Sequence, residues 1–145
     1  MQLSPRIYHS LIRPKWVTKI YIQNNIQQYF DFTNKKVLDF GAGTGANCSL
    51  CPPDHYFGID TDTYRIEFAK RLYNQYRFEA FMGNEIPADN DSFDFILILA
   101  VLHHIPPEMI QGYVKEFKRV LKPEGKIVVI EPCFFEKSPI TNWFM

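Results

Sequence analysis

Residues 37–47 read VLDFGAGTGAN: a short apolar run carrying the acid Asp39, then Gly41, Gly43 and Gly45 in alternation. Glycines at that spacing let a backbone turn tightly and approach a ligand closely, because no Cβ stands in the way and positive φ is accessible. A second acid, Asp60, closes the run YFGID 19 residues after Gly41. A carboxylate so placed can accept hydrogen bonds from ribose hydroxyls. Two further groups could do chemistry. His103 and His104 follow the apolar run FDFILILAV, and Cys48 and Cys51 form a C-x2-C pair with His55 four residues on.

Three ligands compete for the glycine loop. A phosphate-binding GxxxxGK[ST] loop fails, because Gly45 is followed by Ala-Asn. The dinucleotide pattern GxGxx[GA] is formally met by Gly41, Gly43 and Ala46, with Asp60 as the ribose acid. The third reading uses Asp39, two residues before the first glycine and expected at the top of the first strand facing the ligand crevice. A pyrophosphate would be repelled by that charge. A ligand carrying an ammonium and a sulfonium would be attracted, and S-adenosylmethionine has both, with a ribose for Asp60.

The remaining groups take plainer readings. His104 is the candidate for a general base, but a histidine bonding to loop backbone is the favoured role for the pair. Zinc in a structural site wants a tetrahedral ligand set, and Cys133 is the only thiol besides Cys48 and Cys51, so no metal site is expected. Lys115, Lys118, Arg119, Lys122 and Lys126 read as a solvated basic face.

These residues need elements to position them. Helical spacing over 15–30 (Trp16, Ile20, Ile26, Phe30) predicts a helix, and 36–40 and 55–59 predict buried strands. Pro52 and Pro53 leave room between those strands for one or two helical turns. Asp62 is an N-cap for a helix to about Asn74, with Tyr64, Phe68 and Leu72 as its apolar stripe, widened by Ala69 and Tyr73. A third strand is expected over 77–81, then a loop over 83–92. The run 93–101 is nearly all apolar, as a strand covered on both faces should be. Pro106, Pro107 and Glu108 suit a helix start. Ile110, Tyr113, Val114, Phe117, Val120 and Leu121 then repeat at helical spacing until Pro123 and Gly125, and 126–130 is a fifth strand. Alternating strands and helices imply a parallel sheet with ligands at the carboxyl ends of its strands.

The totals agree with one soluble domain: 145 residues, 46% hydrophobic and 22% charged. Sixteen basic residues balance sixteen acidic ones, which argues against nucleic acid or an anionic membrane as partner. No run approaches the roughly 18 apolar residues of a membrane span, and the first residues lack the apolar core of a signal peptide. An odd cysteine count disfavours a disulfide framework and suggests a reducing, cytoplasmic setting.

Taken in order, VLDFGAGTG, YFGID, SFDFILILAVLHHI and LKPEGKIVVIEP resemble the successive motifs of class I S-adenosylmethionine-dependent methyltransferases, nearest the small type-11 and type-12 branches, over about 37–132. The resemblance implies an α/β fold: a Rossmann-like, doubly wound, mostly parallel sheet of about five strands, order 3-2-1-4-5, with helices on both faces. It implies contacts to the amino-acid part of the cofactor from Asp39 and the loop Gly41, Ala42, Gly43 and Gly45. It implies ribose bonds from Asp60, adenine contact from Thr61, and contact near the methionine end from Leu99 and Ala100. An acid usually meets the adenine amino group in the loop after the third strand; here MGNEIP puts Met82 or Asn84 in its place.

The implied function is methyl transfer to an acceptor, a small molecule by preference. The rivals are a cofactor-binding module inactive alone or in need of a partner chain, and an NAD(P)-dependent oxidoreductase. The expected organisation is an N-terminal helical segment over 1–35, acting as a lid through Tyr8, His9, Arg13 and Trp16, a core over 36–132, and a tail over 133–145. The family's last two strands, an antiparallel hairpin, have no counterpart in the 15 residues after Ile130. The fifth strand is then expected to be an apolar edge that either pairs with a second copy of the chain, giving a homodimer, or is covered by the chain's own tail folding back.

Overall fold

The computed structural model describes residues 22–83 and 85–132. Its elements follow in the order α1 (Asn24–Tyr29), β1 (Val37–Phe40), β2 (Tyr56–Asp60), α2 (Thr63–Leu72), β3 (Arg77–Ala80), β4 (Phe93–Leu99), α3 (Pro107–Val120) and β5 (Leu121–Ile130). All four strand pairings are parallel and the sheet order is β3-β2-β1-β4-β5. The chain winds outward from β1 through β2 to β3, then returns to place β4 on the other flank of β1. The switch therefore lies between β1 and β4, where Val37 pairs with Phe95 and Phe40 with Ile98. Their carboxyl ends open there, and the glycine loop leaves β1 at that point.

Alternation along the strands feeds two cores. One face collects Val37, Phe95 and Leu97 with Ile66 and Ala69 of α2. The other collects Leu38, Phe40, Ile96 and Ile98 with Tyr113, Phe117 and Val120 of α3. Ile96 and Leu97 are fully buried on opposite faces, so β4 is packed from both sides. Each such side chain contributes roughly 1.5–3 kcal/mol. Phe40 makes edge contacts with Tyr113 and Phe117 at ring separations of 5.0 and 4.9 Å, which ties α3 to the end of β1.

The helix signals act as their chemistry suggests. Asp62 caps α2, its Oδ1 accepting from the N–H groups of Tyr64 and Arg65 at 3.0 and 3.1 Å. Pro107 opens α3, Glu108 lies in its first turn, and Lys118 and Arg119 lie in its last. Between β1 and β2 the chain makes two short 3-10 turns, Cys48–Leu50 and Pro53–His55, as the proline pair requires.

Several expectations are corrected. In α2 the buried face is Ile66 and Ala69, with Tyr73 packed beside them, whereas Tyr64 is 80% and Leu72 42% exposed. At 100° per residue Tyr64 lies nearly opposite Ile66, so the four-residue spacing of 64, 68 and 72 traced the wrong side. β4 stops at Leu99, not Val101, because Ala100 takes φ +59° and turns the chain out of the sheet. β5 starts at Leu121, directly after α3; a register shift lets Leu121 pair with Phe93 and Lys126 with Phe95, absorbing Pro123 and Gly125. Arg119 is not part of a solvated face: its guanidinium donates to the carbonyls of Ile86 and Ala88, to Asn90 and to Glu116, strapping the loop after β3 onto α3. The part of the predicted first helix before residue 22, the lid residues and the tail over 133–145 lie outside the described residues, as does Asn84.

Candidate functional site

A cavity of about 430 Å³ opens at the β1/β4 switch. Volumes of that order are common for small-ligand sites. Its floor is the glycine loop. The N–H groups of Gly41 and Ala42 both donate to the carbonyl of Ile59, at 2.8 and 2.9 Å, which ties the loop to β2. Gly41 has φ +79°, and a Cβ there would stand 2.4 Å from Cγ2 of Val101. Gly43 has φ +54°, but its Cβ direction is open, the nearest side-chain atom being Oδ2 of Asp60 at 3.9 Å. The first glycine thus admits a neighbouring wall, and the second leaves space for a ligand.

Asp60 ends β2 and lines the cavity. Oδ2 accepts from the N–H of Gly43 and Oδ1 from that of Asp62, each at 2.8 Å. A carboxylate oxygen offers two lone-pair directions, so both retain acceptor capacity toward a ligand hydroxyl. Thr61, Leu99, Ala100 and His104 line the same space. Four anticipated contributors among the described residues do not line it. Asp39 is 1% exposed and its Oδ2 accepts from the hydroxyl of Tyr56 at 2.7 Å. Phe40 takes the cavity side of β1 by strand alternation, so Asp39 turns into the opposite core beneath the loop instead of facing the crevice. Burial and the charge of Asp39 push the Tyr56 phenol well above its ordinary value, so that it remains a donor. Ala42 is buried against Gly58, and Gly45 packs against Phe78. Met82 is 85% exposed, and Phe81 lines the cavity one residue earlier. Asn84 is not among the described residues.

The apolar half of the cavity went unread in the sequence. Phe81, Val101, Ile105, Met109 and Tyr113 line it together with Phe40. A signal existed for two of these, because Met109 and Tyr113 stand four apart at the start of a helix whose apolar stripe was legible. Arg65 lines the rim, its Nε 3.3 Å from Oδ2 of Asp62. His103 stands outside, its Nδ1 2.6 Å from Oε2 of Glu131, with its ring 3.9 Å from that of His104. Cys48 and Cys51 are buried thiols outside any disulfide; burial, then the charge of Asp39, pushes the Cys51 thiol up to about 12, so it stays protonated.

The site joins backbone and carboxylate acceptors on one side to an aromatic and aliphatic wall on the other. That division suits a ligand with a polar half and a flat apolar half. Residues 38–129 match the family described as the methyltransferase domain. The demethylmenaquinone methyltransferase of Tropheryma whipplei (strain Twist) is 32% identical over 101 residues, covering 67% of this chain and 41% of the relative. The ubiquinone biosynthesis O-methyltransferase of Actinobacillus pleuropneumoniae serotype 5b (strain L20) is 29% identical over 116 residues, covering 72% and 47% respectively. The chain thus spans less than half the length of these curated relatives. A crystal structure of a SAM-dependent methyltransferase from Aquifex aeolicus superposes with a TM-score of 0.71 at 20% identity, over 95% of this chain and 79% of that one, a likeness of fold. With the family's pattern spanning the sheet from β1 to β5 and the cavity at its switch point, the chain belongs to the methyltransferase domain family.

Proposed function

We propose that the domain binds S-adenosylmethionine in the cavity at the β1/β4 switch and transfers its methyl group to a small-molecule acceptor. The observation that carries the reading is Asp60, a carboxylate at the cavity wall beside a glycine whose Cβ direction is open. Asp60 would accept from the ribose hydroxyls, and Gly43 would let the chain of the ligand pass close to the backbone. Phe81, Val101 and Ile105 would cover the purine and exclude water. Bound cofactor supplies an activated methyl group on a sulfonium, already joined to a good leaving group. The residues of this chain then contribute chiefly proximity and alignment. Where the acceptor must lose a proton, His104 is the cavity-lining imidazole in reach of that role.

The preference for a small acceptor takes support from relatives named for demethylmenaquinone and for ubiquinone biosynthesis, and from the apolar end of the cavity at Ile105, Met109 and Tyr113. Titration calorimetry with S-adenosylhomocysteine, and NADH as comparator, tests the cofactor. Micromolar binding of the first and none of the second is expected; the reverse preference, or no binding of S-adenosylhomocysteine, refutes the reading.

A second reading has the domain working as a dimer through β5. It is favoured by an apolar groove between α3 and β5, where Ile110, Val114, Ile127 and Val129 are 37–47% exposed. Sedimentation analysis would show a dimer that Val129→Lys dissociates; a monomer at all concentrations refutes it.

A further inference from the structure

Glu131, the residue after β5, reaches back across the sheet top to the segment that follows β4. Its Oε1 accepts from two successive N–H groups, those of Val101 at 2.9 Å and Leu102 at 2.8 Å, and its Oε2 lies 2.6 Å from Nδ1 of His103. Just before them, the N–H of Ala100 donates to the carbonyl of Ile130 at 2.7 Å. Four consecutive residues are therefore held by two.

The segment needs that hold. Ala100 takes φ +59°, a conformation unfavourable for any residue with a Cβ. Val101 and Leu102 enter the short 3-10 turn Leu102–His104, where opening N–H groups have no partner within the turn. A carboxylate supplies both with charge-assisted bonds. Burial opposes ionisation of Glu131, but the bonds from His103, Leu102 and Val101 outweigh burial and hold its carboxyl below the usual range. The consequence reaches the cavity through Val101, whose methyl groups occupy the space above Gly41. Glu131 itself does not line the cavity, whereas Ala100, Val101 and His104 do.

We propose that Glu131 is a positioning residue: its carboxylate clasps residues 101–103, and so sets the cavity wall against the glycine loop in the form that accepts the cofactor. This rests on the cofactor reading above. Its side chain is 24% exposed and joins neither core, so its loss leaves both cores in place.

The test compares Glu131→Ala and Glu131→Gln by calorimetry with S-adenosylhomocysteine and by amide hydrogen exchange. Glutamine can offer its carbonyl to the two N–H groups and its amide to Nδ1 in the other imidazole tautomer. A misplaced wall is expected to cost the alanine variant at least about tenfold in affinity, with faster exchange confined to Val101 and Leu102, while the glutamine variant stays within about threefold of the parent. Parent-like affinity in Glu131→Ala, or a loss of affinity with unchanged exchange at those amides, overturns the role. Glu131→Asp withdraws the charge by one methylene and decides the matter if the alanine variant unfolds: a loss of about threefold or more is expected, and parent-like binding overturns the role. Absence of binding by the parent protein is a separate result, which removes the cofactor reading and the positioning role together.

Discussion

Replacing Asp60 with alanine removes four acceptor directions from one wall of the cavity. Two serve the protein, accepting from the N–H groups of Gly43 and Asp62 at 2.8 Å each. Two remain for the ribose hydroxyls of the proposed cofactor. Hydrogen bonds to a charged partner are worth about 1.5–3 kcal/mol each. One bond at the lower bound already corresponds to about tenfold in affinity, and both together to about a hundredfold. Titration of Asp60→Ala with S-adenosylhomocysteine should therefore show a loss between those limits. Thermal unfolding of the same sample separates this from a collapsed loop, since Gly41 and Ala42 remain tied to Ile59 and the loop should keep its place. Asp60→Asn is not a mild control. Its amide would face the donor N–H of either Gly43 or Asp62, so one must go unpaired and affinity should again fall. Affinity within about twofold of the parent in Asp60→Ala, with the variant folded, would refute the ribose assignment.

Gly41→Ala should cost about 2–4 kcal/mol in chemical denaturation, combining the left-handed backbone penalty with a methyl forced to 2.4 Å from Val101. Adding Val101→Ala should recover part of that loss in a double-mutant cycle, and strictly additive losses would show that the two residues do not compete for the space. The Glu116 carboxyl is held below its ordinary value by the hydrogen bond from Arg119, against an opposing burial effect and with help from the N–H of Ile86. Its unfolded value is the higher one, so its stabilisation is present above about pH 4.5 and is lost as pH falls through the folded value. Glu116→Gln should lower stability at neutral pH and flatten the acid limb of the stability profile, and a limb as steep as the parent's would remove Glu116 from that role.

Much of this domain is written in local pattern. The glycine loop, the Asp62 cap, the proline start of α3 and the apolar run of β4 each depend on residues within a few positions of one another. Steric freedom, capping and side-chain period act at that range, so their places could be read directly. The resemblance over 37–132 supplied the strand order, which local pattern alone leaves open. The place of Asp60 at the end of β2 was legible too, because the end of a strand before a capped helix is a recognisable position.

What tertiary structure decided depends on contacts across long stretches of chain. Asp39 carries the same chemistry whichever way it points; the pairing of β1 with β2 and β4 turned it toward Tyr56, 17 residues away, and gave Phe40 to the cavity. Arg119 looked like one cation among several until the loop over 86–90 folded onto it. Glu131 is a single acid after an apolar strand, and only the adjacency of β4 and β5 brings it to Val101, 30 residues earlier. Residue type and spacing specify which groups exist and which element carries each. Which face a side chain takes, and which distant backbone it satisfies, is settled when the whole sheet is assembled, because burial and hydrogen-bond satisfaction are properties of the packed chain.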